Sequence, residues 1–193
     1  MREDRRVREL ALHVLDILQN TVEAGATRVT LTIHEDVPAD WLTITVADNG
    51  RGMDAATVAR VTNPFYTTRT TRHVGLGLPL YAMAAEQAGG RLHITSAPGI
   101  GTTVRAEFQF SHPDRQPLGD MAGTLLAFLL SERTPELRYE HRLRQEPAPG
   151  DRTFEFDTAD IRAELGDVPF SHPAVVQWLA EFLEEGEDVL REE

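Results

Sequence analysis

Two side chains near the start of the chain have a spacing that could serve chemistry. Asp16 and Asn20 lie four residues apart in a segment with helical periodicity, so both are expected on one face of a helix. A carboxylate beside a carboxamide could orient water and complete the shell of a Mg²⁺ ion, which prefers oxygen ligands. The pair could instead belong to the solvated stripe of an amphipathic helix, and the spacing alone leaves both interpretations open.

A second acidic residue is followed by closely spaced glycines. Asp48 ends a strand pattern, and Gly50 and Gly52 come two and four residues later. Such a turn can place the carboxylate in a pocket beneath open backbone, where it would accept a hydrogen bond from an exocyclic amine like that of adenine. A plain turn is the alternative, because Asn-Gly is the commonest turn dipeptide.

The segment 63–80, NPFYTTRTTRHVGLGLPL, is rich in groups that bind phosphate. Its donors are the hydroxyls of Thr67, Thr68, Thr70 and Thr71 and the guanidinium groups of Arg69 and Arg72. Gly75 and Gly77 would let the backbone approach a ligand, and a helix that begins at Gly77 favours anions at its N-terminus. A single Gly-X-Gly is weak evidence, but among these donors it favours phosphate binding.

The fourth segment, GIGT at residues 99–102, lies between two strand patterns. Its glycines could form only a hairpin turn. Alternatively, Thr102 could direct its hydroxyl towards the sheet face. This segment alone does not decide between the two.

Composition restricts the chemistry. The chain has no cysteine, which excludes disulfides, thiolate catalysis and cysteine metal sites. All 19 basic residues are arginine, so a P-loop lysine and Schiff-base chemistry are excluded as well. A net charge of −12 argues against nucleic-acid and membrane partners. The charged first ten residues do not resemble a secretory signal, and the apolar run 121–130 is too short to cross a bilayer, so we expect a cytoplasmic protein.

Apolar periodicity predicts the elements that position these segments. The first part of the chain should contain helices at residues 5–23, 54–61 and 77–88 and strands at 28–33, 41–47, 91–97 and 102–110. The first two strands are expected to pair as an antiparallel hairpin.

Proline and glycine cluster at residues 111–119, and we place a domain boundary there. It divides the chain into domains 1–112 and 113–193. The second domain should be a small α+β unit, with helices at 121–130, 159–165 and 173–185 and strands at 136–143 and 153–158.

In their order, the four segments resemble the ATP-binding boxes of the gyrase, heat-shock chaperone, histidine kinase and MutL (GHKL) superfamily. ILQNTVEAGAT resembles the N box, DNGRGM the first glycine box and NPFYTTR the phenylalanine box, while GLGLPL and GIGTT resemble the second and third glycine boxes. The similarity covers about residues 8–110. It implies an α+β protein with the Bergerat fold, a two-layer α/β sandwich with helices on one face of a mixed sheet.

The resemblance also implies roles for a site that binds ATP and Mg²⁺. Asn20 would complete the Mg²⁺ shell, Asp48 would accept from the adenine amino group, and Thr102 would assist Asp48 through a water. Asp16 lies where the hydrolysing members place a Glu general base, and it is shorter by one methylene. The remaining residues implied to line the nucleotide are Gly50, Gly52, Met53, Thr67, Thr68, Arg69, Arg72, Gly75, Leu76, Gly77 and Leu78.

Three functions fit this pattern. The first is a stand-alone enzyme, related to histidine kinases, that hydrolyses ATP or transfers its γ-phosphate to a separate protein recognised by residues 113–193. The second is a non-catalytic binding module that is switched by nucleotide. The side chain of Asp16, which is one methylene shorter than the Glu base of the hydrolysing members, favours this function. The third is an anti-sigma-type serine kinase. The partner is not identified by the sequence, and a homodimer is compatible with it.

Residues 140–144, EHRLR, distantly resemble a histidine-kinase acceptor motif, but they fall in a strand pattern and we expect no such role.

Overall fold

The computed structural model describes residues 9–61, 76–131, 133–146 and 150–191. In chain order, these residues form α1 (Leu10–Glu23), β1 (Arg28–Asp36), β2 (Trp41–Asp48), α2 (Ala55–Val61), α3 (Gly77–Gln87), β3 (Arg91–Ala97), β4 (Gly101–Gln109), α4 (Met121–Leu129), β5 (Glu136–Arg144), β6 (Arg152–Asp157), α5 (Thr158–Leu165) and α6 (Pro173–Val189). Every helix and strand that the periodicity predicts is therefore present, most of them with ends shifted by a few residues.

The strands form one six-stranded mixed sheet in the order β3-β4-β2-β1-β5-β6. The predicted hairpin is confirmed, since β1 and β2 pair antiparallel with Val29 opposite Asp48. β5 pairs parallel with β1, with Leu137 opposite Val29, and the other neighbours pair antiparallel. The segment after residue 112 therefore widens the sheet that the first part of the chain begins.

One face of the sheet is apolar and covered by helices. Alternate side chains of the inner strands are buried on this face: Val29, Leu31, Ile33, Leu42, Ile44, Val46, Val104, Ala106, Phe108, Leu137 and Tyr139. They share one core with the buried sides of α1, α3, α4 and α6. The α+β, two-layer architecture expected from the resemblance is confirmed.

The connection between β4 and α4 holds the start of α1. Glu9, the N-cap of α1, provides no side-chain cap to the helix. Instead, the N–H groups of Leu10 and Ala11 donate to the carbonyls of Pro117 and Leu118, at 3.0 and 2.8 Å. This satisfies donors that a helix start leaves unpaired. The predicted domain boundary falls in this connection and remains a prediction, but the elements on its two sides share one sheet and one core.

Two elements extend beyond their predicted ends because of tertiary contacts. β1 continues to Asp36, where it pairs with both β2 and β5. α6 continues past Gly186, a residue that usually ends helices, and this glycine packs so closely on Phe154 that a Cβ would overlap the ring. The apolar run 121–130 forms the buried helix α4. In the described residues, no helix is long and apolar enough to cross a membrane.

Candidate functional site

The last turns of α1 bring two of the predicted site residues to one stripe. Asp16, Asn20 and Ala24 recur every four residues, so they lie above one another on the helix. Asp16 is exposed and Asn20 is half-buried. One end of this stripe lies against Gly77 at the start of α3, and the other end lies against Gly50 in the turn after β2.

Each of those glycines lies against one end of the stripe. A Cβ added to Gly77 would lie 3.2 Å from the Cβ of Asp16 and 3.4 Å from its carboxylate Oδ2. At the other end, a Cβ added to Gly50 would lie 2.8 Å from the Cβ of Ala24. The first residue of α3 and the turn after β2 therefore border the same helix face, with Asn20 between them.

The turn after β2 holds a half-buried carboxylate. Asp48 Oδ1 accepts a hydrogen bond from the N–H of Gly50 at 2.7 Å. Burial raises the pKa of the Asp48 carboxyl above its usual range, and the backbone N–H groups of Gly50 and Thr102 offset part of that increase. A half-buried carboxylate that receives backbone N–H groups is fixed in orientation, and once ionised it can only accept hydrogen bonds.

The approach of this turn to the β3–β4 turn requires glycine. Gly52 has φ of +64°, and a Cβ there would overlap the carbonyl of Ala97. Gly101 has φ of +131°, and a Cβ there would overlap the carbonyl of Asp48. Both positions combine a backbone conformation that L side chains rarely adopt with direct backbone contact. We call the set Asp16, Asn20, Asp48, Gly50, Gly52, Gly77, Gly101 and Thr102 the glycine-turn site.

The hydroxyl of Thr102 is engaged by a residue that the sequence did not indicate. Thr102 pairs with Asp48 across β2 and β4, and its Oγ1 lies 2.9 Å from the Oγ of Ser96. Ser96 also accepts the N–H of Met53 at 2.8 Å and donates to the carbonyl of Gly101 at 2.9 Å. A serine facing a threonine across a hairpin becomes informative only when the strand register is known.

Asn49 is a second residue that the sequence did not single out. Its carboxamide oxygen accepts the N–H groups of Thr27 and Arg28, each at 2.9 Å, and its amide donates to the Thr27 hydroxyl at 2.9 Å. Asn49 therefore ties the turn after β2 to the connection between α1 and β1. Its signal was the Asn-Gly dipeptide, which also fits an ordinary turn.

The phosphate-binding prediction falls largely outside the described residues. Thr67, Thr68, Arg69, Arg72 and Gly75 lie there, so their roles stay predictions. The described end of that segment comprises Leu76, Gly77 and Leu78, all half-buried at the start of α3.

A metal site made from protein side chains alone is not found: the described ranges contain no group of three or more His, Cys, Asp or Glu residues that could hold an ion. Mg²⁺, however, is usually held by one or two protein groups, with waters and substrate phosphates completing the shell. A single carboxamide from Asn20 therefore fits this ion, and the glycine-lined backbone fits a ligand that must approach closely.

The EHRLR segment is placed in β5, where its histidine is enclosed. His141 is 1% exposed and lies between two carboxylates, with Nδ1 2.9 Å from Glu187 Oε2 and Nε2 2.9 Å from Glu35 Oε1. A side chain so placed is not accessible to a second protein. The geometry thus agrees with the expectation that this segment is not an acceptor.

The geometry and the sequence agree with one family of nucleotide-binding proteins. Residues 6–112 match the model of the family described as Histidine kinase-, DNA gyrase B-, and HSP90-like ATPase. This match covers more than half of the chain, and the chain belongs to that family. It contains a histidine-kinase-like ATP-binding domain, so the resemblance to the GHKL superfamily is confirmed.

Individual relatives are bacterial sensor and signalling kinases. The chain is 43% identical over 90 residues to the sensor protein kinase FleS of Pseudomonas aeruginosa, covering 46% of this chain and 22% of that protein. It is 35% identical over 98 residues to the signal transduction histidine-protein kinase AtoS of Escherichia coli, covering 50% and 16%. Sporulation kinase C of Bacillus subtilis is 32% identical over 91 residues, covering 47% and 21%. The chain thus spans about a fifth or less of the length of these relatives.

A solved structure extends the similarity in shape. The crystal structure of the N-terminal domain of a DNA repair protein superposes with a TM-score of 0.53 at 15% identity, covering 77% of this chain and 53% of that one. At this identity the likeness shows the fold alone. It agrees with the two-layer sandwich described above.

Proposed function

We propose that the chain binds Mg-ATP at the glycine-turn site and either hydrolyses it or transfers its γ-phosphate to a separate protein. Members of the family bind ATP, usually with Mg²⁺. The observation that carries the catalytic part is the position of Asp16, which shares a helix stripe with Asn20 and would lie 3.4 Å, through its Oδ2, from a Cβ added to Gly77.

Adenine recognition rests on Asp48. Its half-buried carboxylate is oriented by two backbone N–H groups and offers an acceptor to an exocyclic amine. Charge-assisted hydrogen bonds of this kind contribute about 1.5–3 kcal/mol. A Cβ at Gly50 would lie 2.9 Å from Asp48 Oδ1, so the absence of a side chain there leaves room for a planar base to approach the carboxylate.

Metal binding is assigned to Asn20, which lies one helical turn from Asp16. Its carboxamide oxygen would supply the ligand from the protein, and the phosphates and waters would supply the others. The ion, when bound, would neutralise charge on the phosphates.

Asp16 is proposed as the general base. It is exposed, as a group that must reach an attacking water or an acceptor hydroxyl has to be, and it lies beside the first residue of α3. Positioned proton transfer typically contributes about 10²–10⁴-fold to a rate. A carboxylate near a triphosphate does not strengthen ground-state binding, so its loss should affect turnover and leave affinity intact.

The separate protein is proposed to bind residues 113–193. Support comes from α6, where Trp178 is 43% exposed and stacks on Phe182 with ring centroids 5.2 Å apart. Aromatic side chains are enriched at protein interfaces. A pull-down with the full chain and with Trp178→Ala tests this part, and equal capture of the same proteins would contradict it.

The catalytic part is tested with γ-labelled Mg-ATP, given to the protein alone and in cell lysate. Free labelled phosphate identifies an ATPase, and a labelled second protein identifies a kinase. Asp16→Asn should bind ATP as tightly as the parent and turn over at least about tenfold more slowly. Asp16→Glu should retain activity, and Asp188→Asn, an exposed helical aspartate in α6, is the matched control.

Two results would contradict this proposal. Equal turnover in the parent and Asp16→Asn would remove Asp16 from the mechanism. Tight ATP binding without release or transfer of phosphate would make a nucleotide-switched binding module the better account.

A further inference from the structure

The Ser96 hydroxyl connects the two turns of the glycine-turn site. Its Oγ lies 2.8 Å from the N of Met53, 2.9 Å from the carbonyl oxygen of Gly101 and 2.9 Å from Oγ1 of Thr102. Ser96 is half-buried at the end of β3 and faces Thr102 in the β3–β4 register. One hydroxyl therefore contacts both turns that flank Asp48.

All three contacts can be hydrogen bonds at the same time in only one arrangement. A backbone N–H can only donate, so Met53 donates to Ser96. A carbonyl can only accept, so the single proton of Ser96 is donated to Gly101. With that proton used, the remaining contact forms only if the Thr102 hydroxyl donates to Ser96.

This arrangement leaves the Thr102 oxygen with lone pairs alone for any further partner. Thr102 lies directly opposite Asp48, whose carboxylate accepts the N–H groups of Gly50 and of Thr102 itself. Both groups that the site presents at this point are thus hydrogen-bond acceptors. They match a ligand group, or a bridging water, that donates.

We infer that Ser96 is a positioning and specificity-determining residue, which holds the Thr102 hydroxyl as an acceptor and thereby favours a purine with an amino group at position 6 over one with a carbonyl. The inference rests on the proposed function, because it concerns the base of the same nucleotide. Ser96 acts through Thr102 and need not touch the ligand. Its role is separable from that of Asp48, which offers a carboxylate whatever the direction of the Thr102 hydroxyl.

Removing the Ser96 hydroxyl should relax this selectivity. In Ser96→Ala, the Thr102 hydroxyl loses its acceptor and becomes free to donate to a carbonyl. Mg-ITP carries a carbonyl at position 6 and a proton on the adjacent ring nitrogen; Asp48, which every variant keeps, can accept that proton, so a change in the ratio between variants reports the group at position 6 that faces Thr102. The preference for Mg-ATP over Mg-ITP should fall by about three- to tenfold, as expected for one hydrogen bond. Thr102→Val, which removes the second hydroxyl at nearly constant shape, should lower the same ratio.

The experiment measures dissociation constants for Mg-ATP and Mg-ITP with the full chain. The variants are Ser96→Ala, Ser96→Thr, Thr102→Val and the double variant Ser96→Ala/Thr102→Val. Ser96→Thr keeps a hydroxyl and should restore the parent ratio. The double variant should match Thr102→Val alone, because Ser96 acts only through Thr102. Thermal unfolding of each variant reports structural damage separately.

A purely structural role for Ser96 would weaken both nucleotides equally and lower the unfolding temperature, and an unchanged ATP-to-ITP ratio in Ser96→Ala would overturn the inference. An unchanged ratio in Thr102→Val would overturn it as well, even if Ser96→Ala failed to fold. If the parent binds neither nucleotide, the proposed function itself fails. Binding of ATP with an unaltered ratio in the variants would instead contradict only the role of Ser96.

Discussion

The two halves of the sheet use polar residues in opposite ways. Around the turn after β2, Asp48 is half-buried and Asp16 is exposed, and their carboxylates border the start of α3 and the glycines. Around β5 and α6, His141 and Glu187 are 1% and 4% exposed, and the Tyr139 hydroxyl donates to Glu187 at 2.5 Å. The first region leaves carboxylates where a ligand could reach them, whereas the polar groups of the second hydrogen-bond to one another inside the core.

Neighbouring residues explain the difference. Gly50 and Gly101 bring backbone close to Asp48 without filling the space around it, and Gly52 brings the same turn close to Ala97. In contrast, aromatic rings line the second region: Tyr139 and Phe182 each contact both Phe154 and Phe156. The comparison teaches that substitutions in the first region should change ligand binding, and that substitutions in the second should change stability.

The largest expected effect is on stability, from Glu187→Ala. This variant leaves the Tyr139 hydroxyl and one nitrogen of His141 without their partner inside the core. Removing one member of a buried ion pair costs about 3–5 kcal/mol, to be measured by urea unfolding. Glu184→Ala, exposed on the same helix, should stay within about 0.5 kcal/mol of the parent. A loss below about 1 kcal/mol in Glu187→Ala would contradict the network's role.

The same network makes stability depend on pH. Burial alone lowers the pKa of His141, but its hydrogen bonds to Glu187 and Glu35 outweigh burial and raise it from 6.5 to about 9. The folded state therefore holds a proton that the unfolded state has released. The stabilisation is complete below pH 6.5 and is lost as pH rises through about 9.

The free energy of unfolding, measured by urea titration between pH 6 and 9.5, should therefore fall with rising pH. This group contributes a slope of at most about 1.4 kcal/mol per pH unit. In His141→Gln the slope should be smaller, although the protein is less stable throughout. A parent whose stability rises across this interval would contradict the protonated histidine.

A smaller effect is expected from Gly186→Ala. In most helix interiors this change stabilises by up to about 1 kcal/mol. Here the new Cβ would overlap the ring of Phe154, and overpacking costs about 1–3 kcal/mol. We expect net destabilisation by thermal unfolding, relieved in the double variant with Phe154→Leu. Stabilisation by Gly186→Ala alone would show that α6 does not pack on β6 as described.

The sequence predicted local structure well because local structure depends on local pattern. Apolar periodicity located α1 and the β1–β2 hairpin, and the spacing of Asp48 with its glycines predicted a tight turn. The pairing of β5 with β1 was not predictable, because no pattern in residues 28–36 or 136–144 indicates which strand each will pair with. For the same reason, nothing in the sequence indicated that β5 and β6 of the second predicted domain would extend the sheet of the first.

Contacts between distant side chains were also out of reach. His141 and Glu187 are 46 residues apart and become partners only through the packing of α6 on the sheet. Ser96 and Asn49 carry common turn and strand residue types, and their roles depend on the register of the strands around them. The sequence did predict that Asp16 and Asn20 share one face of a helix, and both lie in α1; their roles stay predictions.

The most direct measurement is equilibrium binding of Mg-ATP to the parent and to Asp48→Asn. Asparagine keeps an oxygen that can accept the N–H of Gly50, so the turn should be preserved and thermal unfolding unchanged. It replaces the charged acceptor facing the base with a neutral amide, so affinity should fall roughly tenfold to over a hundredfold. Asp114→Asn, at an exposed position in the connection after β4, should bind like the parent. Equal affinity in the parent and Asp48→Asn would contradict the assignment of this turn as the adenine site.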